Sequence, residues 1–329
     1  MVTADLDPQA PQAPEPPEAS PRTPGRARGF FSGRRPEYSP AEMPTTGYQV
    51  FRVVNGVILT LVVLAVLYPI VNIVARSFSD AAYIDAGKVD LWPRGFNVAT
   101  YKAVLSNGLF WTDYRNTVVY TVVSTVISLA LTTTYAYVLS KKDLRGRTFL
   151  VGVAVFTMFF SGGLIPNYVL VNNLGMRDSI WAMVLPNAIS VFNLLVMKAF
   201  FESMPSELEE AAAIDGLSSY GILLRIVLPL SKAVLATMTL FYAVASWNSW
   251  FSAFLYLDKP NLYPVSLYLR NMIAGATNQS SLGMGQDDTQ AAANIQAVTI
   301  VLTTLPILFV YPFVQRYFVK GVMIGAVKG

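Results

Sequence analysis

Residues 210–229 read "EAAAIDGLSSYGILLRIVLP", a short polar stretch with three charged residues, Glu210, Asp215 and Arg225, and one turn glycine, Gly216. Long apolar runs stand on either side of it. Its start is marked by Pro205 and by Ser206 with Glu209 three residues on, the pattern of a capping box. The spacing predicts a helix over 207–215, stopped by Gly216 in the left-handed region. Ser218 or Ser219 then caps a second helix, which runs through Ile222, Leu223, Ile226 and Val227 to Pro229. An apolar run comes almost at once after it, so a push on the first helix would be carried into a membrane helix. Ala211, Ala212 and Ala213, set among Glu207, Glu209, Glu210 and Asp215, suit a close-fitting protein groove. The competing reading is an amphipathic helix lying on lipid, for which Lys, Trp and Phe would be expected instead.

Composition explains the flanking runs. The 329 residues are 53% hydrophobic and only 13% charged, with a mean hydropathy of +0.46. Soluble domains carry about 25% charged residues, so lipid is the expected solvent of most of this chain. Cysteine and histidine are both absent. That removes disulfides, thiolate metal sites and the usual general base, and it weighs against an integral membrane enzyme. No metal site is expected.

Apolar runs fall at Val53–Ala75, Asn116–Leu139, Thr148–Val171, Ser179–Met197, Ala233–Leu257 and Ile295–Gln315. Each approaches the ~20 residues that cross a hydrocarbon core as a helix. Six spans put both termini on one side. With the termini inside, sixteen Lys and Arg residues lie on inner segments and eight on outer ones. The short loop holding Lys141, Lys142, Arg145 and Arg147 is the clearest single indicator, so both termini are expected to be cytoplasmic. The fold class expected is therefore an all-α integral membrane protein with six transmembrane helices and a cytoplasmic helix-turn-helix, 205–229, between spans four and five. Ahead of it, residues 1–47 hold ten of the twenty prolines and patches of both charges. Such a leader cannot bury a core and is expected to stay disordered, either as a solvated tail or as one that meets lipid headgroups or a partner. The first apolar run is too long for a signal peptide and lacks a small-residue cleavage site.

Glu210-Ala211-Ala212, three residues, Gly216, nine residues, then Ile226-x-Leu228-Pro229 resembles in full the EAA motif of permease subunits of binding-protein-dependent ABC importers. The flanking "SGGLIPNYVLVNNLGMRDSIWAMVLPNAISVFNLLVMKAFFESMPSELEEAAAIDG" and the terminal "QRYFVKGVMIGAVKG" resemble the carbohydrate-uptake branch, its oligosaccharide and polysaccharide permeases of the maltose type. The resemblance covers roughly residues 50 to 329, with a permease domain over 48–329. It implies a coupling helix seated in a cleft of a separate, dimeric ATPase subunit. Glu210 would supply the polar contact, Ala211 and Ala212 the close-packing face, and Gly216 the turn. Asp215, Ile226, Leu228 and Pro229 complete the motif. A tail over 319–329, ending in Lys328 and Gly329, would reach the ATPase, unless it is a frayed end. The partners implied are a second permease chain, an extracellular solute-binding protein, a carbohydrate substrate and membrane lipid. ATP and Mg would be bound by the ATPase and no cofactor by this chain. No nucleic acid is expected.

The residues bear on energy supply independently. No Asp, Glu, Lys, Arg or His lies within the six runs, whereas ion-coupled transporters place such groups at membrane depth. No GxxxxGK[ST] is present to cradle a nucleotide. Uphill transport would need an external motor; facilitated diffusion, or a non-sugar solute for the same class of importer, stays open. Neutral polar groups in the runs serve as interhelical glue or line a path. Asn193, Asn248, Tyr242, Trp247 and Trp250 are the candidates for contact with a hydroxyl-rich solute, which stacks on rings and hydrogen-bonds at its edges. Outside, Val98–Leu105 is expected to form a short helix. The second outer segment, Asp258–Asn294, shows no regular period and reads as a connector or a contact for the binding protein.

The lack of native cysteine makes the topology directly testable. A single Ala211→Cys in whole cells should react with a membrane-permeant maleimide and stay unlabelled by an impermeant one; labelling from outside would invert the orientation.

Overall fold

The computed structural model describes residues 46–281, 294–309 and 312. Residues 1–45, most of the leader, residues 282–293 and the tail over 319–329, with Lys328 and Gly329, lie outside the described residues. The chain divides into two units, residues 1–60 and 61–329. In the first, the described part belongs to α1 (Thr46–Ser77). Its side chains are exposed on every face, Phe51 and Val53 among them, as expected of a helix whose solvent is hydrocarbon. Thr60 returns its hydroxyl to the Gly56 carbonyl at 2.8 Å.

In the second unit, the end of α1 is followed by α2 (Ala81–Asp85) and α3 (Ala99–Ser106), the latter within a residue of the helix expected over 98–105. Asn72 binds the carbonyls of Val89 and Asp90, and Ala75, Ile84 and Val89 close a small cluster. Gly95, at φ +63°, sits where a Cβ would meet Asp80 and Tyr83 at 2.9 Å. Next comes α4 (Gly108–Ser140), 33 residues long and so about 50 Å from end to end.

The third apolar run is not one straight helix. It forms α5 (Arg147–Phe159) and α6 (Leu164–Asn173), bent by 111° at the intervening residues. Gly163 at φ +85° lies in that break. The fourth run is also interrupted, into α7 (Ile180–Val184) and α8 (Val191–Glu202). Pro186 lies in the gap, where it has no N–H to continue a helix. After the polar stretch come α9 (Ser206–Ile214), α10 (Ser219–Ile222), a π-helical segment Leu223–Val227 and α11 (Leu228–Leu230). The fifth run forms α12 (Lys232–Trp247) and α13 (Trp250–Tyr256). The segment expected to be irregular carries α14 (Val265–Ser281), and Asn294–Phe309 is α15. No strand occurs among the described residues. Among the described residues two helices, α1 and α4, are long and apolar enough to cross a membrane alone, and up to four spans result if each bent pair counts as one.

The helix α14 replaces the expected irregular outer segment because its first turns have an apolar side to bury. Val265 and Leu267 are fully enclosed, and Val265 N–H donates to the Thr117 hydroxyl at 2.7 Å. Beside it, Asp178 accepts from the N–H groups of Asp258 and Lys259. Those bonds, the Asp258 amide first, hold its carboxyl below the usual aspartate range.

The body is organised on α4, which packs chiefly against α8 and α12. Along its length it buries Thr117, Ser124, Ser128, Thr132 and Thr133, small and hydroxylated residues that let helix backbones approach closely in lipid. At the end of α4 toward Ser140, the largest apolar cluster joins Leu139, Leu194, Met197, Phe201, Ala212, Ile222, Val227 and Met238. Among helices in lipid that cluster is held by close packing rather than by expulsion of water. Leu194→Ala should therefore cost about 2–3 kcal/mol, toward the low end of measured core truncations. The drop should show as a lowered thermal midpoint in detergent, with Leu224→Ala, at a position 62% exposed, near neutral.

Candidate functional site

The polar stretch folds as a hairpin of two helices. Asp215 ends α9, Gly216 stands at φ +82°, Gly216 N–H binds the Ala213 carbonyl at 3.0 Å and Leu217 N–H binds that of Ala212 at 3.0 Å. This paired closure is a Schellman motif, and it needs a residue that tolerates positive φ. Ser218 caps α10 by accepting from Gly221 N–H at 3.3 Å. At the other end, the capping box read from Ser206 and Glu209 is absent. Ser206 is already helical, with Pro205 preceding it, and the Glu209 carboxylate is drawn instead to the Lys141 ammonium.

The motif residues divide between two faces. Ala212, 4% exposed, packs into the cluster of α4, α8 and α12, with Ile226 and Leu228 against its edge. Glu210, Ala211, Asp215, Gly216 and Pro229 face outward. Two apolar neighbours that sequence reading missed share the outward face, Ile214 at 87% and Tyr220 at 74% exposed. Their only sequence signal is a large apolar side chain at a position the core does not claim. Pro229 shapes the backbone around it. Lacking an N–H, it cannot bond the Arg225 carbonyl, and the preceding segment widens to π geometry, Leu228 N–H reaching Leu223 O. Such bulges concentrate at functional places. Beyond it the axis turns by 85° into α12, at the fully buried Ser231, whose hydroxyl binds Val227 O at 2.6 Å.

A second site lies between α8 and α12. A cavity of about 990 Å³ is lined by Ser124, Asn187, Ser190, Asn193, Tyr242, Ser246, Ser249, Ser252 and apolar residues, with no charged side chain among the described residues of its wall. It opens where helices break. The Ser190 N–H, freed by the gap before α8, donates to the Tyr242 hydroxyl at 3.2 Å, which is also hydrogen-bonded to the Thr132 hydroxyl at 2.5 Å. Irregular backbone at membrane depth is tolerated where protein or a cavity supplies such partners. A smaller cavity of about 490 Å³ shares Pro186, Asn187 and Ser252 with it and extends along α6 past Asn167.

Of the five substrate-path candidates, the structure brings Asn193 and Tyr242 together on this cavity. It sets the other three apart. Trp247 packs edge-on to Tyr114 and donates to Thr303 O at 3.2 Å. Asn248 returns its amide to Val244 O at 2.8 Å. Trp250 lies under the Arg270 guanidinium, beside a separate, shallower cavity. Among the described residues no group of three or more Asp or Glu side chains is placed to hold a metal.

Residues 46–324 match the family of binding-protein-dependent transport system inner membrane components. The chain belongs to that family. As an inner membrane component of such a transport system it is a translocation subunit, not the carrier of a covalent chemistry. It is 39% identical to the polygalacturonan/rhamnogalacturonan transport system permease protein YtcP of Bacillus subtilis, over 84% of this chain and 97% of that one. It is 42% identical to protein LplC of the same organism, over 87% of this chain and 97% of the other. Among solved structures, a bacterial ABC transporter involved in import of the acidic polysaccharide alginate aligns with TM-score 0.75 at 34% identity. That alignment covers 86% of this chain and all of the other.

Within this permease, Gly216 has open space where a Cβ would stand, so a side chain there meets only backbone strain. Gly216→Ala should loosen the hairpin by about 1 kcal/mol, seen as faster limited proteolysis between α9 and α10, while Gly216→Asn should come close to the parent.

Proposed function

We propose that this chain is the permease subunit of an ATP-driven importer that moves an oligosaccharide or polysaccharide fragment into the cytoplasm by alternating access. The observation that carries the reading is the α9–α10 hairpin: a short helix closed by Gly216, with Ala212 as its one buried side chain, that presents Glu210, Ala211 and Ile214 outward beside Tyr220 of α10. An exposed face that mixes small and apolar side chains with the carboxylates of Glu210 and Asp215 fits a cleft in another protein better than a lipid surface. α9 is the coupling helix in this reading, and the partner is an ATPase that binds ATP and Mg. Glu210, Ala211, Asp215, Gly216, Ile226, Leu228 and Pro229 carry or support the contact, and the terminal Lys328 and Gly329 add to it.

The permease body is taken as residues 48–329 with six spans and both termini cytoplasmic, and residues 1–47 as its leader. Bent helices are compatible with that count, since α5–α6, α7–α8 and α12–α13 each lie in one apolar run. A second permease chain completes the pathway, and a solute-binding protein delivers substrate from outside. Closure of the ATPase dimer on ATP would move α9 and tip the spans outward; hydrolysis would reset them. The polysaccharide names of the relatives support a carbohydrate, as does a cavity walled by hydroxyls, amides and the Tyr242 ring. Asn193 and Tyr242 are its substrate contacts here, and Trp247, Asn248 and Trp250 support the surrounding wall and outer face.

In proteoliposomes holding the full complex, Glu210→Ala should reduce ATP hydrolysis stimulated by the loaded binding protein about fivefold or more. Asn193→Ala should leave that stimulation intact and raise the substrate concentration needed for half-maximal uptake. Accumulation against a gradient with no ATPase present would sink the proposal.

A further inference from the structure

The geometry points to a second mechanical linkage, in which Lys141 and Arg147 act as positioning residues that strap α9 and the end of α8 to α4. The inference rests on the reading of α9 as the helix that receives the ATPase stroke. Its observations are otherwise separate from the EAA motif, because none of the four strapped residues belongs to it.

Lys141 is the residue that ends α4, its N–H bonded to Val138 O at 3.3 Å. Its ammonium pairs with Glu209 on α9 and stands 4.0 Å over the Tyr137 ring. Six residues on, Arg147 opens α5. Its Nε donates to the Leu139 carbonyl at 2.8 Å, and its other guanidinium arm pairs with Glu202 at the end of α8. Lys198 also reaches Glu202, at 2.8 Å. One short loop thus grips both sides of the Ser203–Pro205 turn that launches α9. A depression of about 730 Å³ opens among these groups, lined also by Lys142, Asp143 and Glu210.

Each ion-pair partner has 25–30% of its side chain exposed, Lys198 less. Pairs so placed are neither freely screened nor fully desolvated; their use is to fix register. That role matters because α9 has one buried side chain, Ala212. Its other ties to the body are the chain itself, through the Ser203–Pro205 turn from α8 and through Gly216 and the π segment into α12. A helix held only by its two flanking turns could swivel between them. With Glu209 fastened to Lys141, a displacement of α9 pulls on α4 as well, and α4 carries Ser124 of the cavity wall and packs on both α8 and α12. Glu209 is also the carboxylate that the expected capping box would have used. Its diversion to Lys141 trades a local cap for a contact 68 residues away.

The test uses the complete transporter with its ATPase, second permease and binding protein. Lys141→Gln should leave ATPase co-purification and basal hydrolysis as in the parent, and should cut stimulated hydrolysis and uptake about fivefold or more. The charge-exchanged pair Lys141→Glu with Glu209→Lys should regain most of that loss, which a merely structural disturbance would not allow. Unchanged stimulation in Lys141→Gln, or an exchanged pair no better than Lys141→Glu alone, overturns the strap. Independently of the ATPase, Lys141→Cys with Glu209→Cys in this cysteine-free chain should be joined by a short bis-maleimide in membranes. Failure to join them overturns the strap whatever α9 docks to. Failure of the parent to retain an ATPase, with crosslinking intact, strikes instead at the docking reading and leaves the strap supported.

Discussion

A helix in hydrocarbon has no water to satisfy a free N–H or C=O, so every interruption must find its partners within the protein. Much of this architecture stems from where the chain breaks that continuity. The gap between α7 and α8 frees the Ser190 amide, and the Tyr242 hydroxyl from α12 accepts its hydrogen bond. At the 85° elbow between α11 and α12, Ser231 turns its own hydroxyl onto Val227 O. Around the first break lies the largest of the cavities described. The residues that repair the backbone and those that could meet a solute are thus partly the same. Changing Tyr242 would disturb both tasks at once.

The same economy operates at the other end of α4. There the apolar cluster holds Ala212 inward, which fixes which face of α9 is left for a partner. The Schellman closure at Gly216 sets the angle at which α10 departs, and the π segment ahead of Pro229 sets its approach to α12. Each of these is a local backbone effect of one residue type. Together they turn a polar interruption between apolar runs into a hairpin with one buried face and one exposed face.

Much of this was legible in the sequence, and what was not has identifiable causes. The apolar runs that became α1 and α4 are continuous, and length alone declares them. Gly216 and Ser218 act through neighbours one to five residues away, so their roles as stop and cap could be read directly. The bend between α5 and α6 was hidden because Ser161–Gly163 is too short to lower the hydropathy of the run around it. The helix α14 was missed because its far end is polar and its buried side chains face α4, which no local period reveals. Trp247 comes five residues after Tyr242 and so lies about 140° around the helix from it; proximity in sequence placed them on one path where helical geometry separates them. The capping box failed for a different reason. Glu209 had a stronger partner in Lys141, and a pair that far apart leaves no periodic trace.

A wall without fixed charge also has an electrical consequence. The cavity residues named above carry no formal charge, and a neutral cargo would cross the membrane without drawing on its voltage or opposing it. An anionic cargo entering an inside-negative cell would climb by about 2.3 kcal/mol per charge for each 100 mV. Fixed groups in a wall can reshape that climb but not its total, so the whole of it would fall on whatever drives the transport.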